Sequence, residues 1–390
     1  MAINAPSRRF VTGRPGMHFP AILALLLALA SLARGDGNSV GCVAYTNEVV
    51  PSVPWSIHVI KIDRTRQDVK FCTTLGGGKV LGMGVVSDQM KSVPATMGKP
   101  LAAINGDFYE KVKAYPGRPR DLQIRNGEVL SEPAGHMCFW MDQSNHPHMA
   151  NVASRFQVLW PNGKATPYRM NMARTNGTVV LYTAVLGSST LTEGGVEYVL
   201  EESPGHDWLP LRVGGTYTAR VRRVNTLGNS PMDAQTAVLS IPIELERTVP
   251  MLKQGDLVRL TTETSPDLTG TDVAIGGGPS LVENGKVMEW KGWIHLPQPR
   301  TAMGWNQHYF YLVEVDGRQL DLSLGMTFTQ LAKYMLDLGC EQAMNFDGGG
   351  SATLWAFGSV RNSPSEGQER AAPNALVVIK PNPTPGAAAK

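Results

Sequence analysis

Short apolar runs, each closed by glycine, proline or an Asn-Gly or Asp-Gly pair, recur along this chain. Glycine and proline dictate where a backbone can turn. With 41 Gly and 27 Pro among 390 residues, the sequence favours a fold rich in strands and loops. Trp55 to Ile62 alternates with period two, and Val69-Lys70-Phe71 follows a polar turn. Leu101 to Ile104 is a short buried-strand candidate that delivers Asn105-Gly106-Asp107-Phe108-Tyr109 at its end. Leu122 to Leu130 predicts a hairpin on Asn126-Gly127. Residues 151–265 are less regular but still strand-rich, as at Thr178 to Thr183 and Tyr217 to Val221. No low-complexity linker bounds them, which points to a subdomain packed within one larger unit, 42–380.

One segment has helical period. After the run Tyr311 to Val315 and an Asp316-Gly317 turn, Thr327 and Gln330 form a capping-box signature. Leu331, Ala332, Met335, Leu336 and Leu338 follow at helical spacing, and Gly339 suits the C′ position. The expected class is α+β: mixed, mostly antiparallel sheets with a few flanking helices in a single compact unit. The Pro/Ala-rich tail, 381–390, is expected to be disordered.

The first 33 residues are set apart from that fold. Arg8, Arg9 and Arg14 precede an uninterrupted apolar or small run from Ala21 to Ala33. Such a run is too short to span a bilayer but fits a signal peptide, with small-x-Ala cleavage sites at Ala28-Leu29-Ala30 and Ser31-Leu32-Ala33. The expected location is periplasmic or extracellular, with no membrane span after cleavage. The formal charge of +3 resides in the three leader arginines, which leaves 33 basic against 33 acidic residues. A nucleic-acid partner would need a dense basic footprint that this balance lacks. Cys42, Cys72, Cys138 and Cys340 could form up to two disulfides in an exported protein, with three pairings open, or remain buried thiols.

Two acids occupy parallel contexts. Asp107 follows a short apolar run through Asn105-Gly106, and Asp347 follows another through Asn345-Phe346. Strand ends hold side chains rigidly yet let them reach a cleft. Carboxyl groups are what glycosyl transfer to water requires, as acid, base or nucleophile. After Asp347 come Gly348, Gly349, Gly350 and Ser351, whose amides could approach an anionic ligand closely. Arg300, beside Thr301, is a phosphate candidate because guanidinium matches phosphate bidentately and keeps its charge. The cluster Gly276-Gly277-Gly278 matches neither a phosphate-cradling loop nor a dinucleotide fingerprint. His136, His146 and His148 fall in one short span, but the span reads as an exposed loop and only weakly suggests zinc.

Together these pieces resemble the phosphodiester glycosidase family. The matching stretches are Ala103 to Tyr109, Gly276 to Val282, Pro299 to Gly304, Gly325-Met326-Thr327, Asn345 to Ser351, and Arg361 to Ser365 with Glu369-Arg370, in family order. The resemblance implies hydrolysis of the C1–O bond of a sugar-1-phosphodiester. Asp347 and Asp107 would take the carboxylate roles, and Asn105 would bind sugar hydroxyls. Arg300 and Arg370 would hold the phosphate, with the amides of Gly348 to Ser351 assisting. No cofactor is required; a divalent cation is allowed, although no ligand spacing specifies one. Animal members carry a cysteine-rich growth-factor-like module that these residues lack, so an envelope or exopolysaccharide glycan is the expected partner. Two other readings compete: a phosphodiesterase that cuts P–O, and a non-catalytic glycan-binding protein.

Overall fold

The computed structural model describes residues 38–66, 68–110, 115–290 and 296–383. The leader at 1–33 and the tail from 384 lie outside the described residues. Where the period-two and short apolar stretches stood, strands form: Trp55–Asp63, Lys70–Thr73 and Lys99–Asn105 among them. The Asn126-Gly127 hairpin joins Gln123–Arg125 to Glu128–Ser131, both turn residues having the positive φ that a tight hairpin needs.

Two sheets face one another. An eight-stranded antiparallel sheet runs from Asn38–Val40 through Trp55–Asp63, Tyr309–Val315, Arg300–Trp305 and Gln342–Asn345 to Lys286–Val287. A five-stranded sheet centres on Lys99–Asn105, flanked by Leu354–Ala356 and Ala375–Lys380. Ile60, Met303, Leu312 and Met344 from the first pack on Ile104, Leu354, Leu376 and Val378 from the second. The alternate residues of the larger sheet, such as Val59, Ala302 and Val313, pack instead on the helix Phe328–Asp337. The short helix Val86–Ser92 covers the outer face of the smaller sheet through Val86 and Met90. The order is therefore helix, sheet, sheet, helix.

The third sheet has eleven strands, and part of it closes on itself. Seven strands between Pro147 and Ser265 pair in a ring: 147–159, 165–170, 179–183, 237–241, 196–202, 216–225, 257–265, and back to 147–159. Only the pairing of Ala165–Met170 with Val179–Thr183 is parallel. Phe156, Tyr168, Leu181, Tyr198, Ala219 and Leu260 are among the side chains of its core.

One expectation is corrected. The described residues hold two α-helices against three sheets, so the fold is β-dominated rather than α+β. Glycine and proline interrupt the chain too often for helical period to persist outside Phe328–Asp337 and the short Val86–Ser92. The four cysteines are free and buried. Cys42, Cys72, Cys138 and Cys340 lie in four different hydrophobic clusters, where each acts as a small apolar residue.

Candidate active site

The strands Lys99–Asn105 and Gln342–Asn345 end side by side, although they belong to different sheets. The Asp347 amide donates to the Gly106 carbonyl (3.1 Å), and Asn105 Nδ2 donates to the Asp347 carbonyl (2.7 Å). Asn105 Oδ1 in turn accepts from Thr301 Oγ1 (2.7 Å) and from the Thr353 amide (3.0 Å). Asn105 and Thr301 are fully buried, with their side chains spent on one another and on backbone. The expectation that Asn105 binds sugar hydroxyls does not fit this placement. Asn105 instead ties the two strand ends together, and Thr301 anchors that tie from the neighbouring strand.

The glycine run after Asp347 is likewise different from expectation. The Gly348 amide donates to Asp347 Oδ1 (2.9 Å), that of Gly349 to the Pro299 carbonyl (2.9 Å), and that of Ser351 to Gly348 (3.2 Å). These three amides stabilise the turn and are not available as an anion cradle. The glycines serve close approach: a Cβ on Gly350 would collide with the Arg370 guanidinium and Glu366, and one on Gly349 would lie 2.9 Å from Arg318 Nη2. Absence of side chains thus lets two arginines lie against the loop.

A cleft of about 1010 Å³ opens here. Asp347 lines it, together with Arg120, Arg300, Arg318 and Arg370. Arg300 is 9% exposed, with its guanidinium 4.0 Å above the Phe328 ring and Nε donating to the Met326 carbonyl (2.9 Å). Burial, reinforced by Arg318, pushes its pKa down to about 10, so it remains charged at neutral pH. Arg120 stacks 4.3 Å from the Phe108 ring, Arg318 donates to Gln298 Oε1 (2.7 Å), and Arg370 pairs with Glu366. Arg120 and Arg318 escaped the sequence reading, since neither lies in a patterned stretch.

The two acids differ sharply. Asp347 is mostly buried, which raises its pKa; the nearby Ser351 hydroxyl, the Gly348 amide and the charges of Arg370 and Arg120 oppose that rise. Ser351 Oγ is close enough to favour the carboxylate without a hydrogen bond of normal geometry. Asp107 sits behind the cleft wall with no exposure. Its Oδ2 accepts from the Asp121 amide (2.7 Å), while its Oδ1 is buried without a partner. Desolvation, with the Asp121 charge adding to it, pushes its pKa up to about 7. Gly276 leaves the room this arrangement needs, because a Cβ there would lie 2.8 Å from Asp107 Oδ2.

Asp121 links Asp107 to the surface. Its Oδ1 accepts from the amides of Leu122 (2.9 Å) and Ala134 (3.0 Å), and its Oδ2 lies 2.7 Å from Nδ1 of His136. The carboxylate is fully buried, yet the imidazole is half-exposed at the cleft. His146 and His148 turn instead to Asp142, so the three histidines do not converge.

Residues 213–379 match the model of the phosphodiester glycosidase family. Those residues belong to that family. The phosphodiester glycosidase segment contains Arg300, Arg318, Asp347 and Arg370, while Asp107, Arg120, Asp121 and His136 precede it and fold against it. Two solved structures share the fold. A hypothetical protein from Synechocystis superposes with a TM-score of 0.69 at 14% identity, over 88% of this chain and 64% of that one. This chain therefore spans 64% of that protein's length. A Burkholderia pseudomallei protein thought to be exported gives 0.64 at 18% identity, over 86% and 74%. The catalytic domain of zebrafish N-acetylglucosamine-1-phosphodiester α-N-acetylglucosaminidase, auto-inhibited by its pro-peptide, gives 0.42 at 15% identity, over 88% and 82%. No curated protein matches the sequence. No helix among the described residues is long and apolar enough to cross a membrane.

Proposed function

We propose that this protein is an exported glycosidase that hydrolyses the C1–O bond of a sugar-1-phosphodiester, releasing the sugar and leaving a phosphomonoester. One observation carries the reading: a carboxyl group, Asp347, shares a cleft with four arginines. An anionic phosphodiester suits the arginines, whose planar guanidinium groups match phosphate oxygens and stabilise the charge that develops as the bond to C1 breaks. Phosphate leaves readily, so the reaction needs less acid assistance than an ordinary glycoside.

Asp347 is the carboxyl group that meets the anomeric centre, as nucleophile or as base for water. Its backbone is held on both sides by Gly106 and Asn105, which keeps it in register with the phosphate-binding arginines. Asp107 holds a proton close to neutrality and acts from behind the wall, through the Asp121 backbone. His136, oriented by Asp121, offers its other ring nitrogen to the cleft for proton exchange with water or the leaving phosphate. Export is supported by the leader composition and by the Burkholderia protein of the same fold. A bacterial envelope or exopolysaccharide phosphodiester, with an N-acetylglucosamine-like sugar, is the substrate class.

Hydrolysis of a panel of sugar-1-phosphodiesters in ¹⁸O-labelled water tests this. Label in the released sugar is the expected result. Label in the phosphate would mean P–O cleavage and would overturn the glycosidase reading. Binding of the same compounds without turnover would favour a non-catalytic glycan-binding protein.

A further inference from the structure

The eight-stranded sheet carries a polar row that the cleft does not use. His58 pairs directly with Glu314, and Glu314 with Thr301, so the three side chains leave the sheet on one face. That face elsewhere holds Ile60, Leu312 and Met303 of the apolar core. Thr301 continues to Asn105, as described. The other two converge on Asp316, which follows the strand Tyr309–Val315.

His58 Nε2 lies 2.9 Å from Asp316 Oδ2. One ligand atom from each of His58, Glu314 and Asp316 falls within 4.8 Å of the others, the one such cluster among the described residues. Their exposures are 5%, 0% and 1%. Both carboxyl oxygens of Glu314 are enclosed without a hydrogen-bond partner. The nearby Asn362 does not supply one: its Oδ1 accepts from the Leu354 amide (2.9 Å) and its Nδ2 donates to the Ala352 carbonyl (3.2 Å). A carboxyl group enclosed in this way beside a second one is costly unless a cation or proton compensates it.

We propose that His58, Glu314 and Asp316 bind one divalent transition-metal ion of the Zn²⁺ or Mn²⁺ class. An imidazole with two carboxylates suits such ions, whereas Ca²⁺ and Mg²⁺ favour all-oxygen sites. The surroundings fit. Tyr45 OH lies 2.9 Å from His58 Nδ1, the ring nitrogen that faces away from the carboxylates, and so orients Nε2 toward them. The Ser363 amide donates to Asp316 Oδ1 (2.7 Å), which leaves Oδ2 for the ion. Bound there, the ion joins two strands to the start of the segment that carries Arg318. Its role is structural, and the inference stands independently of the glycosidase reading.

The test uses the full chain, stripped with a chelator and then loaded separately with Zn²⁺, Mn²⁺, Ca²⁺ or Mg²⁺. Elemental analysis after desalting is expected to find about one Zn²⁺ or Mn²⁺ per chain, and thermal unfolding to shift upward with either ion. Glu314→Gln removes a carboxylate without changing shape; it should retain neither ion and show no shift, while folding without metal as well as the stripped wild type. His58→Gln is the second variant and should likewise lose the ion and the shift; the retention and shift of the wild type test the proposal even where neither variant folds. Absence of retained ion and of any shift in the wild type overturns the proposal. Equal retention by Glu314→Gln, or stabilisation by Ca²⁺ or Mg²⁺ alone, overturns it as well.

Discussion

Asp347 and Asp107 occupy matching positions in the sequence but opposite sides of a wall. Asp347 lines the cleft, so Asp347→Asn is expected to lower kcat by on the order of 10³-fold with little change in thermal stability, read from steady-state kinetics and a melting curve. Asp107 calls for a different measurement. Its folded pKa, about 7, lies above the ordinary carboxylate range, so the folded chain keeps a proton that the unfolded chain has lost. The stability associated with that proton is complete at low pH and is lost as pH rises toward about 7. Asp107→Asn removes this dependence. The melting temperature of the variant relative to wild type should climb between about pH 4 and 7 and then level off. A flat difference would show that Asp107 is ionised in the folded state at ordinary acidity. The two acids stood out in the sequence because each follows a short apolar run, and Arg300 because it precedes one, yet only Asp347 and Arg300 line the cleft. Asn105 was misread, because a motif does not tell whether a short polar side chain faces ligand or backbone. Arg120 and Arg318 were illegible for a further reason: their directions are set by Phe108 and by Gln298, a contact that only the folded chain creates.

The helix Phe328–Asp337 is the element that the sequence described most fully. Gln330 N donates to Thr327 Oγ1 (3.1 Å), and Gln330 Oε1 accepts from the Thr327 amide (2.8 Å), completing the capping box. Gly339 has φ +86° at the C-terminal side, and Leu331, Ala332 and Met335 are fully buried against the large sheet. Thr327→Ala should cost about 1 kcal/mol, visible as a lower urea midpoint at unchanged slope. The cost has a functional reading too, since the same helix presents Phe328 to the Arg300 guanidinium. Strands of the closed ring were legible one by one, as at Thr178 to Thr183, but the ring was not. Closure depends on Ala165–Met170 pairing with Pro147–Leu159 on one side and, in parallel, with Val179–Thr183 on the other. Period-two patterning fixes which face of a strand is buried, and carries no information about which strand lies beside it.

At the scale of the molecule, three sheets and two helices divide the interior into several apolar clusters, and the cysteines are distributed one to each of four. No two of them share the cluster that a disulfide would have to bridge. Burial also suppresses their reactivity: desolvation pushes Cys42 up to about 11 and Cys72 and Cys340 up to about 12, and Cys138 rises well above its ordinary value beside Asp121. Thiolate, not thiol, is the reactive form, so these groups should be inert in the native fold even in an oxidising compartment. An aromatic disulfide reagent added to the native protein at pH 8 is therefore expected to label almost none of the four thiols, and all four once the chain is unfolded. The melting temperature should not change with added reductant, since no disulfide contributes to it. Rapid labelling of two thiols only after reduction would instead reveal a disulfide-bonded pair.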